Sequence, residues 1–221
     1  MSDTALICGA GGALGTALVT AFLRRGDRVV ACDRHTTAAA DDPPELSRRP
    51  LDLTRPDDVE ALWDSLSDRP RWVVNAVGGF RGGTIAESDP DGVRFVEDLN
   101  LGTAWWSCRA AARRLGEGDA IVNVASRAAL SGGSGSAAYA VAKAGVVRLT
   151  EVLAAELAER RVRVNAVLPS VIDTQANRES MPPGLMSRAV PAEQIAAVVA
   201  FLCSDDAAAV TGAALPVYGW A

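Results

Sequence analysis

Thr4-Ala5-Leu6-Ile7-Cys8-Gly9-Ala10-Gly11-Gly12-Ala13-Leu14-Gly15 decides how this chain folds. Residues Thr4–Cys8 are apolar or β-branched on both alternating faces, as a strand needs when helices cover its sheet on two sides. A glycine-rich run follows at once, and a helical pattern takes over across Ala13–Arg25. A glycine run alone indicates only a turn. Between a strand and a helix it does more, because backbone without side chains can approach a pyrophosphate whose charge the helix N-terminus favours. Gly9, Gly11, Gly12, Ala13, Leu14 and Gly15 are therefore candidate dinucleotide contacts.

The same alternation runs along the whole chain. Arg28–Cys32, Arg71–Val77, Ala120–Ala125, Val162–Leu168 and Ala213–Val217 read as further strands, and a short extra one ends at Leu51. Helical patterns occupy Pro56–Leu66, Gly92–Leu115, Ser136–Arg160 and Pro191–Cys203. Thr36–Arg49 and Thr174–Arg188 read as loops. This order predicts an α/β chain with a doubly wound Rossmann fold, a mostly parallel seven-stranded sheet and helices on both faces. No change of composition divides it, so residues 1–221 are expected to form a single domain.

Composition narrows the function classes. The net charge is −5 with no basic run longer than two arginines, which argues against nucleic-acid binding. No apolar run reaches the roughly 18 residues of a membrane span, and the first residues lack a signal-peptide pattern, so a cytoplasmic location is expected. Cys8, Cys32, Cys108 and Cys203 are far apart without metal-ligand spacing and read as buried thiols. With His35 as the only histidine, no metal site is expected. The basic residues number 22, and Lys143 is the one lysine among them.

Asp33 closes the second strand, 24 residues after Gly9. A carboxylate there can accept hydrogen bonds from ribose hydroxyls and repel a 2′-phosphate, which predicts NAD(H) over NADP(H). Its neighbour Arg34 pulls the other way, toward a phosphate. Asp52 and Leu53, after the third strand, are placed to meet an adenine.

Tyr139 and Lys143 stand four residues apart in a helical segment and share one face. A free tyrosine has a pKa of about 10, and a nearby ammonium lowers it toward a usable general acid/base. Such a pair is common on exposed helices, so the surrounding residues matter. Ile121-Val122-Asn123-Val124-Ala125-Ser126 precedes Tyr139, with Ser126 thirteen residues ahead of it. Asp98-Leu99-Asn100-Leu101-Gly102 and Arg163-Val164-Asn165-Ala166-Val167-Leu168-Pro169 complete the set.

In these motifs the chain resembles the short-chain dehydrogenase/reductases from end to end. The resemblance implies that Tyr139 exchanges a proton with the substrate oxygen and that Ser126 polarises that oxygen. It implies that Lys143 lowers the tyrosine pKa and holds the nicotinamide ribose, and that Asn100 anchors a relay water. Asn75, Ala76 and Val77, in a partial match to a family motif ending at Gly78, and Pro169, Ile172 and Thr174 are the further cofactor contacts implied. Cys8, Ala13 and Ser170 depart from the family pattern without removing a catalytic group.

Gly78–Gly83 and Asp173–Pro182 are similar to segments of dihydropteridine reductases, whose pattern lacks the equivalents of Ser126 and Asn100. The expected activity is therefore NAD(P)-dependent interconversion of a ketone and an alcohol, as in a ketoreductase or alcohol dehydrogenase. The alternatives are NADH-dependent reduction of a C=N substrate and a non-catalytic dinucleotide sensor. Phe80, Arg81, Asn177 and Arg178 are candidate substrate contacts. A homodimer or homotetramer acting on a small molecule is the assembly the resemblance implies.

Overall fold

The computed structural model describes residues 2–131 and 133–220. Its strands are β1 (Thr4–Cys8), β2 (Arg28–Asp33), β3 (Leu46–Pro50), β4 (Trp72–Asn75), β5 (Ala120–Val124), β6 (Arg163–Pro169), β7 (Ile172–Asp173), β8 (Val190–Pro191) and β9 (Ala214–Val217). The helices are α1 (Ala13–Arg25), α2 (Pro56–Asp64), α3 (Pro90–Glu97), α4 (Thr103–Arg114), α5 (Ala137–Glu156), α6 (Gln175–Ser180), α7 (Pro183–Met186) and α8 (Ala192–Leu202). Seven strands pair in the order β3-β2-β1-β4-β5-β6-β9, all parallel, while β7 and β8 form a separate small pair.

Side-chain alternation on the strands builds two apolar layers. Ala5 and Ile7 of β1 face a cluster containing Leu18 and Phe22 of α1 and Ile195 and Val199 of α8. Leu6 and Cys8 of the same strand face the opposite cluster, with Leu62 and Trp63 of α2, Cys108 and Ala111 of α4, and Leu153 of α5. The helices end where the sequence permits. After α1, Gly26 adopts φ +94°, its N–H donating to the Leu23 carbonyl while Asp27 N–H donates to Phe22, which satisfies two terminal carbonyls. Asp89 caps α3 by accepting from Gly92 N–H at 2.7 Å, with Pro90 in the first turn.

The strand order reverses between β1 and β4, so a crevice opens beyond their carboxyl ends. The structure also corrects several boundaries. β4 stops at Asn75, and β3 takes Leu46–Arg49 from the expected loop because those backbones pair with β2. Within the other expected loop, α6 and α7 form, the first capped by Thr174, whose Oγ1 accepts from Asn177 N–H at 3.1 Å. The helix expected across Gly92–Leu115 is interrupted by a π turn at Asp98–Gly102. All four cysteines are free and buried, and Cys8 and Cys32 sit opposite one another on neighbouring strands.

Candidate active site

The glycine loop is shaped by contacts that leave no space for side chains. Gly9 has φ +89°, and a Cβ there would lie 2.6 Å from the Val77 nitrogen. A Cβ on Gly15 would lie 2.0 Å from the Gly9 carbonyl oxygen. Gly9 and Ala10 N–H groups both donate to the Cys32 carbonyl, at 2.8 and 3.0 Å, which ties the loop to β2. Gly12 caps α1 without a side-chain hydrogen bond, so the first N–H groups of that helix have no side-chain acceptor at the cap. These are the features a pyrophosphate requires, and Ala13 does not disturb them.

On one side of the loop lies a groove of about 180 Å³, lined by Asp33, Arg34, Asp52, Leu53, Ala76 and Val77 among others. The Asp33 carboxylate accepts from Gly11 N–H at 3.3 Å and from His35 N–H at 3.2 Å. Asp52 is held by Thr54, whose N–H and hydroxyl donate to it at 3.0 and 2.7 Å and keep its carboxyl below the usual range.

On the other side is a cleft of about 820 Å³, whose lining includes Gly12, Leu14, Ser126, Tyr139, Lys143 and Pro169, with Ile172, Thr174, Asn177 and Phe80 further out. Ser126 leaves β5 and accepts Ala128 N–H at 3.2 Å, which begins a short 3-10 turn at Arg127–Ala129. Tyr139 and Lys143 stand on the inner face of α5, in register with the buried Val146, Val147 and Thr150. Phe80 meets the Tyr139 ring edge-on, with centroids 5.3 Å apart.

Lys143 is 3% exposed, and its ammonium donates to the Val124 carbonyl at 2.9 Å. Burial brings its pKa down to about 8. The expected lowering of the Tyr139 pKa by Lys143 is not what the structure displays. Burial pushes the phenol up, a hydrogen bond with Ser126 opposes this only in part, and Nζ lies 5.9 Å from the ring centroid.

Asn100 is 1% exposed, and its side chain explains the π turn. Nδ2 donates to the Val96 carbonyl at 2.9 Å and to the Gly79 carbonyl at 2.9 Å, while Oδ1 accepts from Gly79 N–H at 3.2 Å. The side chain thus replaces a backbone donor that the widened turn displaces, and it clamps the chain after β4.

Four expected site side chains point elsewhere: Asn100, expected to anchor a relay water, lines neither space because its amide is taken by Val96 and Gly79, and three others turn to protein partners. Asn75 is buried under the sheet, donating to Asn123 Oδ1 at 2.8 Å, and its side chain lines neither space. Arg81 turns to Asp89 and Arg178 to Asp173, each forming an ion pair outside the cleft lining. Conversely, Gly78, Arg127 and Arg188 line the cleft without having been expected there. Gly78 stood in the partial motif. For the two arginines no local pattern gave a signal.

A Cβ on Gly78 would lie 2.9 Å from Asn100 Oδ1 and 3.1 Å from Lys143 Nζ. The ammonium ends a flexible side chain while the Asn100 amide is held by three hydrogen bonds, so Gly78→Ala is expected to fold with the ammonium displaced. A displacement of that order lowers kcat by about 10- to 100-fold. Steady-state kinetics beside a thermal melt check this, and unchanged kcat would show that the lysine position is not critical.

The fold and its crevice define a doubly wound α/β domain whose clefts meet at the switch point of the sheet. A family model described as enoyl-(acyl carrier protein) reductase matches residues 9–219. An uncharacterized short-chain type dehydrogenase/reductase of Sinorhizobium fredii is 33% identical over 97% of this chain, which spans 42% of that relative's length. Galactitol 2-dehydrogenase of Rhizobium johnstonii is 34% identical, over 97% of this chain and 93% of its own. The solved structure of ElxO with NADP bound has the same fold, with TM-score 0.90 at 22% identity over 99% of this chain and 98% of that one. The chain belongs to the short-chain dehydrogenase/reductase family and is an oxidoreductase.

Proposed function

We propose that the protein interconverts a ketone and an alcohol with NAD(H), using Tyr139 as general acid/base. The observation that carries this reading is the placement of Ser126, Tyr139 and Lys143 on one cleft that also contains Gly12 and Leu14 of the glycine loop. The nicotinamide, when bound, supplies or takes the hydride. The raised phenol of Tyr139 keeps its proton at neutral pH and is ready to donate it to a substrate oxygen. Ser126 Oγ orients that oxygen. Lys143, still mostly charged at pH 7 and one helical turn from Tyr139, would hold the nicotinamide ribose. Asn100 acts by holding Gly78-Gly79 beside the lysine.

The test is a panel of ketones, alcohols, cyclic imines and quinonoid dihydropterin, followed by NADH absorbance. Turnover confined to the C=N compounds would replace the carbonyl reading by the imine or pterin one. Turnover of none, with NADH bound, would favour a sensor.

The NAD preference is supported by Asp33, whose carboxylate sits against Gly11 where a ribose hydroxyl would approach. ElxO, by contrast, holds NADP, and Arg34 lines the same groove here. The ratio of kcat/KM for NADH over NADPH is expected to exceed unity by about tenfold, equivalent to about 1.4 kcal/mol. Asp33→Ser should bring it toward unity, and a wild-type preference for NADPH would overturn the assignment. An oligomer is part of the proposal too, supported by the exposed apolar Trp105, Phe201 and Trp220.

A further inference from the structure

The cleft carries a charge imbalance that the proposed chemistry does not use. The chain has 27 acidic and 22 basic residues, yet the ionisable side chains lining the cleft include Arg127, Lys143 and Arg188 and no aspartate or glutamate. Many arginines elsewhere are matched to carboxylates, as Arg48 is to Asp42, Arg114 to Glu60 and Asp64, and Arg178 to Asp173. Among the described residues, no aspartate or glutamate lies within 4.0 Å of Arg127 or Arg188. Lys143 is taken by the Val124 carbonyl, which leaves the two arginines free to meet an incoming group.

Their placement is specific. Arg127 directly follows Ser126 and begins the 3-10 turn that Ser126 caps, so its backbone is fixed beside the polarising hydroxyl. Its guanidinium stacks on the Tyr218 ring at 5.1 Å. The Arg127 guanidinium makes no side-chain hydrogen bond among the described residues, so its N–H groups are available for two parallel bonds to a carboxylate. Arg188 comes from the far wall, between α7 and β8, beside Leu185 and Met181. Both arginines are exposed residues on the lining of the cleft, and two uncompensated cations beside its apolar walls raise the local concentration of anions.

We infer that the substrate is a carboxylate-bearing carbonyl compound or its hydroxy acid, whose carboxylate is held by Arg127 and Arg188. This rests on the ketone–alcohol reading of the same cleft. The carboxylate lies within a side-chain length of Ser126, so the reacting carbonyl can reach Ser126 and Tyr139 while the acid group stays on the arginines.

Matched pairs of oxo acids and their methyl esters test it, each pair having the same carbon skeleton. With NADH and the wild-type protein, kcat/KM for the better acids should exceed that of their esters by at least about tenfold, the usual value of a charge-assisted contact. Arg127→Met and Arg188→Met should each reduce that ratio severalfold while ester kcat/KM stays within about twofold. Binding of the same pairs to the NAD⁺ complex, titrated calorimetrically, gives a readout that needs no turnover. Acids binding no tighter than esters, or a ratio that survives both substitutions, would overturn the inference. Esters turned over as well as acids would do so while leaving the carbonyl reading intact. No turnover with tight acid binding would remove the redox reading and keep the anion site.

Discussion

Tyr139→Phe is expected to lose at least about 10²-fold, and up to 10⁴-fold, in kcat with every carbonyl substrate, while NADH binds within about twofold of wild type. The substitution removes one oxygen and nothing else. The ring remains, and with it the edge contact to Phe80 at 5.3 Å. The hydroxyl's bond with Ser126 is lost, at a cost of about 1 kcal/mol, but the phenol is also relieved of a buried polar group. The melting temperature should therefore move little. The barrier moves much more, because the proton donor is removed from the substrate oxygen and Ser126 beside it is far too weak an acid to take its place. Stopped-flow or steady-state NADH oxidation, beside a fluorescence titration of NADH, separates the two effects. Residual turnover within tenfold of wild type would remove Tyr139 from the role of acid.

Lys143→Met should abolish most activity and yet make the protein more stable at neutral pH. The buried ammonium is charged below about pH 8, whereas in the unfolded chain it holds its proton up to 10.5. The drop from 10.5 to about 8 corresponds to roughly 3 kcal/mol of destabilisation below pH 8. Against this stands one hydrogen bond to the Val124 carbonyl, about 1 kcal/mol. Burial wins, and the methionine variant gains on the order of 2 kcal/mol. The pH dependence carries the same signature. Between about 8 and 10 the unfolded state binds more protons than the native one at this site, so wild-type stability rises with pH across that window. Above 10 the trend reverses in part, because the native phenol of Tyr139 keeps its proton longer than the unfolded one. The variant should lack the rise. Chemical denaturation at pH 7 and at pH 9.5 measures it, and a methionine variant less stable than wild type at pH 7 would show that the ammonium contributes more by bonding than it costs by burial.

Much of the site could be read from local patterns. The strand, glycine loop and helix at Thr4–Arg25 depend on residues that are neighbours along the chain, and the four-residue spacing of Tyr139 and Lys143 is itself a helical period. Ser126 was indicated by the resemblance of its strand and its spacing from Tyr139 to the family motif. The π turn did not, because a helical pattern across Gly92–Leu115 contains no sign that the Asn100 amide will displace a backbone donor at Val96. β3 was legible only as a short strand ending near Leu51, since its half-buried edge position leaves a weak apolar pattern.

The sequence by itself indicated the order of elements, the crevice at the first strand and the helical spacing of Tyr139 and Lys143, because each is written in short-range periodicity, whereas Ser126 came only from the family resemblance. The tertiary structure alone decided which arginines face the cleft. Arg81 and Arg178 stand in segments that looked like substrate contacts, but Asp89 and Asp173 draw them away. Arg127 and Arg188 carried no local mark, and they line the cleft because the described residues bring no aspartate or glutamate to them there. Asn75 was likewise turned inward by Asn123 from the adjacent strand. A side chain's direction in a loop or at a strand end is set by whichever partner the fold brings close, and those partners lie far away in sequence.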